Sequence, residues 1–248
     1  MSDASIVFGL HAVRTLLERR PERAVRLIVQ KGRDDGRIGE VLKLARAASV
    51  PIEVRDAKAL DGLAGMERHQ GVCLQVKPAG VQGESALDDL LDKLSTPPFL
   101  LVLDGVQDPH NLGACLRTAD AAGVTAVVVP RDRAAGLSPV VRKVASGAAE
   151  TVPLFQIVNL ARTLQQLKER NIWVVGTDGE AEKTVYEVDL RGPVALVLGA
   201  EGPGLRRLTK ENCDVLAKIP MLGAVESLNV SVATGVALYE AVRQRRPK

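Results

Sequence analysis

One strand-to-helix junction decides how this chain of 248 residues folds: Phe99-Leu-Leu-Val-Leu-Asp-Gly-Val-Gln-Asp-Pro-His-Asn-Leu-Gly-Ala-Cys-Leu-Arg117. An apolar run of strand length gives way to a polar segment with a glycine, and apolar residues at helical spacing follow. This order is typical of α/β proteins with a parallel sheet. In open sheets of that kind, the loops after the strands form the ligand crevice. The sequence therefore predicts a binding site at this junction.

The same change from apolar to polar residues recurs twice further along the chain. It is found at Leu198-Gly-Ala-Glu-Gly-Pro-Gly204 and at Ile219-Pro-Met-Leu-Gly-Ala-Val-Glu-Ser-Leu-Asn-Val-Ser231. Each segment contains glycines, which let the backbone approach a ligand closely. We therefore expect the three loops to converge and the chemistry to lie in the C-terminal part of the chain.

Strands and helices alternate through the C-terminal part, which predicts an α/β fold with a parallel sheet and helices on both faces. The last helix, expected over 229–245, is apolar on more than one side, so it is either fully buried or packed against another subunit. The predicted strands are Phe99–Leu103, Ala126–Val129, Trp173–Gly176, Val194–Leu198 and Val215–Ile219.

The N-terminal part has the pattern of a small α/β unit of its own. A Pro- and Gly-bearing stretch with a short acidic helix over 87–94 then reverses the charge sign, which is typical of a linker. We therefore predict a first domain over residues 1–78, a linker over 79–98 and a second domain over 99–248. The predicted N-terminal elements are helices over 9–20 and 37–48 and strands at Ala24–Gln30, Pro51–Val54 and Gly71–Val76.

The charges are unevenly distributed between these parts. Residues 1–78 hold fourteen Lys and Arg against ten Asp and Glu, whereas residues 79–98 hold one against four. A basic excess is compatible with a polyanionic partner, and equally with an ordinary solvated surface. Aromatic residues make up only 2% of the chain, so an RNA partner is expected to be recognised by shape, phosphates and polar contacts rather than by aromatic stacking.

Several classes of protein are disfavoured by the sequence. Three widely spaced cysteines do not form a disulfide framework or a zinc site, and no other cluster has metal-ligand spacing. No apolar run approaches the roughly 20 residues of a membrane span, and the N-terminus lacks the pattern of a signal peptide. We therefore expect a cytoplasmic protein without a metal. The glycines of 199–204 have the spacing G-x-x-G-x-G, which differs from the dinucleotide fingerprint.

Polar residues at the first junction have competing interpretations. Asn111 is expected to cap the helix that ends near Gly123. Arg117 lies among apolar neighbours, and a buried arginine needs a partner, either a carboxylate such as Glu201 or a phosphate. His110 is either a residue at the start of the helix or part of a hydrolytic triad with Asp108 and Ser227. The absence of a G-x-S-x-G elbow disfavours the triad.

The third junction also permits a structural interpretation, because Ser227-Leu-Asn229 precedes the last helix and both Ser and Asn favour the N-cap position.

Together, the three junctions resemble the SpoU family of RNA ribose 2′-O-methyltransferases, within the knotted SPOUT class. The resemblance rests on Asn111 and Arg117 in the first motif, on Gly199, Glu201 and Gly202 in the second, and on Ile219-Pro-Met221 with Ser227–Ser231 in the third. The N-terminal segments Phe8-Gly-Leu-His-Ala-Val13 and Arg68-His-Gln-Gly-Val72 are similar to the family's L30e-like substrate-binding domain. Glu226 departs from the pattern, since a small polar residue is expected beside the motif serine.

The resemblance implies a fold and a reaction that the composition alone does not. The fold is a trefoil-knotted methyltransferase domain that dimerises through its C-terminal part. The reaction is methyl transfer from S-adenosylmethionine to a guanosine 2′-OH in the peptidyl-transferase P-loop of 23S rRNA. A tRNA-modifying enzyme, a non-catalytic rRNA-binding assembly protein and, more distantly, a nucleotide-dependent reductase stay open as alternatives.

The resemblance also assigns residues to these roles. Arg117 is expected to contact the target nucleotide, with Glu201 paired to it. The expected catalytic set is Asn111, Arg117, Glu201, Ser227 and Asn229. The expected cofactor contacts are Thr177, Gly199, Ile219, Met221 and Leu228, and the expected RNA contacts of the first domain are Arg14, Arg19, Arg20 and Arg23.

Overall fold

The computed structural model describes residues 4–33, 36–65, 69–132 and 134–246, except for the side chain of Arg19. By their contacts, residues 1–79 and 146–151 form a first compact unit, and residues 80–145 and 152–248 form a second. The domain limits predicted from the sequence, at 78 and 98, stay a prediction. No helix in the described ranges is both long and apolar enough to cross a membrane.

The first unit is a four-stranded sheet with helices on both faces. Its strand order is β1-β4-β2-β3, in which only β2 and β3 run parallel. The sequence predictions for its helices and strands are confirmed to within about two residues. The elements are β1 (Ser5–Phe8), α1 (Leu10–Arg19), β2 (Ala24–Gln30), α2 (Gly36–Ala47), β3 (Ile52–Arg55), α3 (Ala57–Ala64) and β4 (Val72–Val76).

Alternation along the strands divides this sheet into two faces. Val7, Leu27 and Leu74 are fully buried in one cluster with residues of α1 and α2. Their neighbours Ile28 and Cys73 point the other way, where they pack with α3. The first face is covered by two helices, whereas the second is covered by one helix of eight residues.

A segment distant in sequence completes the first unit. Helix α7 (Ala148–Thr151) places Glu150 beside Arg23, and only 4% of the Glu150 side chain is exposed. Its carboxylate binds the Arg23 guanidinium and also accepts a hydrogen bond of 2.7 Å from the backbone N–H of Ala79. A buried carboxylate requires such partners. Arg23 is therefore a structural residue in this unit, which corrects its predicted role as an RNA contact.

The second unit contains a seven-stranded sheet in the order β7-β6-β5-β10-β8-β11-β9, with all strands parallel. The five predicted strands are confirmed. The short strands β7 and β9 were not expected from the sequence. The strands are β5 (Phe99–Asp104), β6 (Ala126–Pro130), β7 (Leu154–Ile157), β8 (Trp173–Thr177), β9 (Lys183–Thr184), β10 (Val194–Gly199) and β11 (Val215–Lys218).

Helices cover both faces of this sheet. Leu100 and Leu101 of β5 point to opposite faces, and both are fully buried, as expected of a parallel sheet with two covered faces. The helices are α4 (Glu84–Asp92), α5 (Pro109–Ala121), α6 (Pro139–Ala145), α8 (Leu160–Glu169), α9 (Arg207–Glu211) and α10 (Val230–Arg245).

The segment predicted as a linker is folded onto the second unit. Leu87 of α4 is buried in the core cluster that includes Leu164 of α8. Glu84 accepts a hydrogen bond of 2.8 Å from the backbone N–H of Val158 and binds Arg162 at 2.7 Å. These contacts, the backbone bond first, lower the pKa of the Glu84 carboxyl. Glu84, one of the acidic residues that suggested a linker, therefore helps to hold α4 in place.

Candidate active site

The three glycine-bearing junctions lie at one edge of the parallel sheet. Strands β5, β10, β8 and β11 are consecutive neighbours, so their carboxyl ends meet at the same edge. The first junction follows β5, the second follows β10 and the third follows β11. The predicted convergence of the three loops is consistent with this strand order.

Asp108, rather than Asn111, caps helix α5. Its carboxylate accepts hydrogen bonds from the backbone N–H groups of His110 (3.3 Å) and Asn111 (3.0 Å), and Pro109 occupies the first turn. The prediction that Asn111 is the cap is therefore wrong, because an aspartate three residues earlier satisfies the free N–H groups. Asn111 lies within the first turn, where its side chain is free to make other contacts.

Three polar side chains from the three junctions meet at Asn229. Its amide nitrogen donates to Asn111 Oδ1 at 3.0 Å and, over a longer 3.4 Å, to Glu201 Oε2. Its amide oxygen accepts hydrogen bonds from the backbone N–H (2.9 Å) and the hydroxyl (2.6 Å) of Ser231, so Asn229 also caps α10, which is the structural interpretation that the sequence left open. The cap fixes the amide and aims its nitrogen at the other two loops.

Arg117 lies apart from this cluster. It follows Asn111 by six residues on α5, which at 100° per residue turns its side chain about 120° away from that of Asn111. The side chain is exposed, and among the described residues Glu201 bonds to Asn229 rather than to Arg117. The predicted pairing of Arg117 with Glu201 is therefore wrong within one chain, and so is the premise that apolar neighbours bury Arg117. Ser227 is also exposed and outside the cluster.

A cavity of about 400 Å³ opens beside the cluster. It lies between the loop after β5 and the loop after β10. Asn111 and Glu201 line it, together with the start of α10 at Val230. A space of this size is within the range of small-ligand sites, and the polar cluster lies at its wall.

Asp104 and Arg206 are site residues that the sequence analysis missed. Asp104 ends β5, is 1% exposed and lines the cavity. It accepts hydrogen bonds from Arg206 Nε at 2.6 Å and from the Arg206 backbone N–H at 3.1 Å. The ion pair therefore ties the loop after β10 to the end of β5. The sequence feature that could have pointed to Asp104 is an acidic residue directly after the unbroken apolar run Phe99–Leu103.

We expect Arg206→Ala to lower the free energy of unfolding of the second unit by about 2 kcal/mol. The change leaves the buried Asp104 carboxylate without its main partner. The loss of stability is smaller than for a fully buried ion pair, because solvent screens Arg206, which is 44% exposed. Urea denaturation measures the change. The control is Arg207→Ala, which removes only an exposed pair with Glu211 and should cost less than about 0.5 kcal/mol. Equal losses in the two variants would contradict this role.

Three of the five predicted cofactor residues lie at the ends of adjacent strands, and two lie in the loop that follows β11. Thr177 ends β8, Gly199 ends β10 and Ile219 follows β11. Met221 and Leu228 lie in the loop between β11 and α10, and all five are partly exposed.

The loop over 219–228 is suited to holding a ligand through its backbone. Its amide and carbonyl groups form no hydrogen bonds with the described parts of the chain. Leu222 is 97% exposed and Val225 is 65% exposed. Free backbone groups beside uncovered apolar side chains can bind a molecule with both polar and apolar parts. These residues therefore fit S-adenosylmethionine, which has both.

Gly199 makes the second junction possible. A Cβ built on it would lie 2.1 Å from the carbonyl carbon of Gly204 and 2.3 Å from the backbone nitrogen of Leu205. The loop closes on itself through a 3.0 Å hydrogen bond from the Gly204 N–H to the Ala200 carbonyl, with positive φ at Gly202 and Gly204. Only glycine at 199 leaves room for this turn. The turn forms part of the cavity wall, which it lines with Ala200, Glu201, Pro203 and Gly204.

The arginines predicted to bind RNA belong to the first unit, and their side chains differ in exposure and in the partners they already have. Arg14 is exposed and paired with Glu18 and Glu40. Desolvation lowers the pKa of Arg20, whose side chain is partly buried. Arg23 is the structural residue described above, and the side chain of Arg19 lies outside the described residues.

Comparison with known proteins establishes the class to which this fold and site belong. The SpoU rRNA Methylase family matches residues 98–239, and the family described as RNA 2′-O ribose methyltransferase substrate binding matches residues 6–82. The chain belongs to the SpoU rRNA methylase family.

Two full-length relatives are named 23S rRNA (guanosine-2′-O-)-methyltransferase RlmB. The protein of Pseudomonas putida is 55% identical over 249 residues and covers all of both chains. The protein of Pseudomonas aeruginosa is 56% identical over 248 residues, which is 100% of this chain and 99% of the relative.

Two solved structures extend the likeness to the three-dimensional fold. The SpoU methyltransferase AviRb from Streptomyces viridochromogenes, in complex with AdoMet, has a TM-score of 0.66 at 25% identity and covers 97% of this chain and 90% of its own. An RNA 2′-O ribose methyltransferase has a TM-score of 0.64 at 29% identity, with 98% and 90% covered.

Proposed function

We propose that this protein transfers a methyl group from S-adenosylmethionine to the ribose 2′-hydroxyl of a guanosine in 23S rRNA. The single observation that carries the proposal is the cluster of Asn111, Asn229 and Glu201 at the wall of the cavity, in a chain that is 55% identical over its whole length to an enzyme named for this reaction. Labelled methyl transfer to 23S rRNA tests it, with tRNA as the competing substrate.

The residues at the ends of β8, β10 and β11 are the ones we assign to the cofactor. The cofactor supplies an electrophilic methyl group on a sulfonium. The free backbone groups of 219–228 would bind its polar parts, while Met221 and Leu228 would contact its apolar parts. The turn after Gly199 lines the cavity that would receive the ribose. Donor and acceptor would then meet at this edge of the sheet, where the surrounding loops hold them in a fixed alignment.

Glu201 is the residue that we assign to accept the proton from the ribose hydroxyl. Three carboxylates line the cavity, and two of them are engaged: Asp104 binds Arg206 and Asp108 caps α5. Glu201 Oε2 receives only the long bond from Asn229, and Oε1 has no partner among the described residues. With the bound cofactor supplying the methyl group, Glu201 would accept the proton that the ribose hydroxyl loses on methylation. Asn111 and Asn229 hold the carboxylate and ribose in place.

We assign Arg117 to the active site of a second copy of this chain. Helix α10 exposes Val232 (51%) and Tyr239 (49%) on one stripe, which is more apolar surface than a solvated helix presents. Helix α5 packs on α10 near this stripe, since Thr118 lies 3.9 Å from the Cβ position of Gly235. A homodimer formed through α10 would cover the stripe and carry Arg117 to the partner's site. There its fixed positive charge stabilises the target phosphate rather than accepting a proton.

We expect Arg117→Ala to lower the turnover number for methyl transfer by about 100-fold, because a group that stabilises charge in the transition state is lost. Cofactor affinity, measured by calorimetry, should change less than twofold. Arg131→Ala, another exposed arginine of the second unit, is the control. Turnover within twofold of the wild type would remove Arg117 from the mechanism.

Mixing two inactive variants tests whether the site is shared. If Arg117 and Glu201 act in one site from different chains, a heterodimer of Arg117→Ala and Glu201→Gln has one site with both native residues. Random reassembly at equal concentrations should then restore about a quarter of the wild-type activity, because half of the dimers are mixed and each has one intact site. No recovery in dimers shown to exchange subunits would contradict the shared site.

We propose three finer points that the family resemblance supports. The target is a guanosine of the peptidyl-transferase P-loop, the C-terminal segment forms a trefoil knot, and the protein acts on its rRNA substrate in the cytoplasm. Mapping of ribose methylation in 23S rRNA from a strain that lacks this protein identifies the nucleotide. Methylation of tRNA alone would favour the tRNA-modifying alternative, and absence of transfer would favour the assembly protein.

A further inference from the structure

The first unit contains a cleft that none of the assignments above uses. Helix α3 spans only eight residues and covers part of one face of the four-stranded sheet. A space of about 250 Å³ remains between α3 and the strands. Buried Ile28 and partly buried Ile6 form its floor, and Leu63 of α3 forms a wall with 41% of its surface exposed.

The rim of the cleft carries two arginines in fixed positions. Arg26 binds Glu53 at 2.8 Å and donates to Gln75 Oε1 at 2.9 Å. Arg55 binds the other oxygen of the Glu53 carboxylate. Strand alternation and register place these four side chains on the same face as the isoleucine floor, since Gln75 pairs with both Ile6 and Arg26. About half of each arginine side chain stays exposed (44% and 55%).

This combination matches an unpaired nucleobase better than a phosphate. A phosphate needs positive charge and no apolar floor, and the Glu53 carboxylate opposes it. A base has an apolar face and polar edges, and unstacked bases of RNA bind against guanidinium planes. The Gln75 amide nitrogen donates to no other described residue, so it is available to a base edge. The net positive rim favours an RNA strand over an uncharged ligand.

We infer that this cleft binds one unpaired base of the RNA substrate, flanked by the Arg26 and Arg55 guanidinium groups. The inference rests on the proposed function, because it takes RNA as the substrate. It places an RNA contact on the sheet face that α3 partly covers. The arginines expected from the sequence to bind RNA belong instead to α1 and the turn that follows it.

Three variants of the full-length protein test the inference. Arg55→Ala and Arg55→Lys should each bind an unmodified in vitro transcript of 23S rRNA about tenfold more weakly, the size expected when a base loses its stacking partner. Lysine keeps the charge but lacks the planar face. The control is Arg46→Ala on α2, which packs on the opposite face of the sheet. It removes one exposed charge from the same unit and should change affinity less than twofold.

Methyl transfer separates this inference from the proposed function. The Arg55 variants should show a KM for RNA raised about tenfold and an unchanged kcat. Transcripts containing 4-thiouridine and 6-thioguanosine should crosslink to β2, β3 or α3 in the wild type. Wild-type affinity in Arg55→Lys would mean that Arg55 contacts a phosphate. Equal small losses of affinity in Arg55→Ala and Arg46→Ala would mean that Arg55 does not contact the RNA. Either result would overturn the inference that the cleft binds a base. If the wild-type protein transfers no methyl group to RNA, the proposed function fails, and the inference with it.

Discussion

Gly199→Ala is expected to abolish binding of S-adenosylmethionine and to lower the free energy of unfolding of the second unit by about 3 kcal/mol. The added Cβ would lie 2.1 Å from the carbonyl carbon of Gly204, and backbone cannot move aside as a flexible side chain does. The turn after β10 must then open, which disturbs both the cofactor loop and the cavity. Titration calorimetry measures the binding, and urea denaturation measures the stability.

Gly192→Ala is the matched control for this prediction. It introduces the same methyl group just before β10, at the end of the strand opposite the site, where a Cβ at Gly192 has no atom within 4 Å. We expect its cofactor affinity and stability to stay close to those of the wild type. A Gly199→Ala protein that binds the cofactor within twofold of wild type would show that the turn relaxes and that Gly199 is not needed for the site.

The sequence predicted the strands that carry the site and the residues at their ends, because both are recognised from short stretches of sequence. Strands such as Val194–Gly199 are unbroken apolar runs, and the residues that end them are polar or glycine. Strand order, which decides that β10, β8 and β11 are neighbours, depends on pairing between distant segments. The sequence alone gives no local signal for that order. The convergence of the three junctions was expected only from the general rule that loops after parallel strands share one edge of the sheet.

Individual side-chain partners were harder to predict for the same reason. Asn111 is as good a cap as Asp108 by residue type, and only the start of the helix decides between them. Arg117 has apolar neighbours in sequence, but its side chain points to the exposed side of α5. Arg23 was expected to bind RNA because it lies in a basic segment, whereas its partner Glu150 lies 127 residues away. A contact across such a distance leaves no pattern in one sequence.

Glu201→Gln is expected to lower kcat for methyl transfer by about 1,000-fold, within the range found when a general base is removed. Glutamine keeps the size of the side chain and an oxygen that accepts from Asn229, but it cannot take the proton. The cofactor affinity should therefore stay within twofold of wild type. Single-turnover assays with saturating RNA isolate this step from binding and product release.

The residual activity of the variant distinguishes a proton acceptor from a residue that only orients the ribose. Without the carboxylate, hydroxide must remove the proton, so the rate of Glu201→Gln should rise about tenfold for each pH unit. Glu211→Gln is the control, because Glu211 lies on α9 in an exposed pair with Arg207 outside the cavity; its kcat should match wild type. A Glu201→Gln enzyme with a small, pH-independent loss would assign Glu201 to positioning and leave the proton to another group.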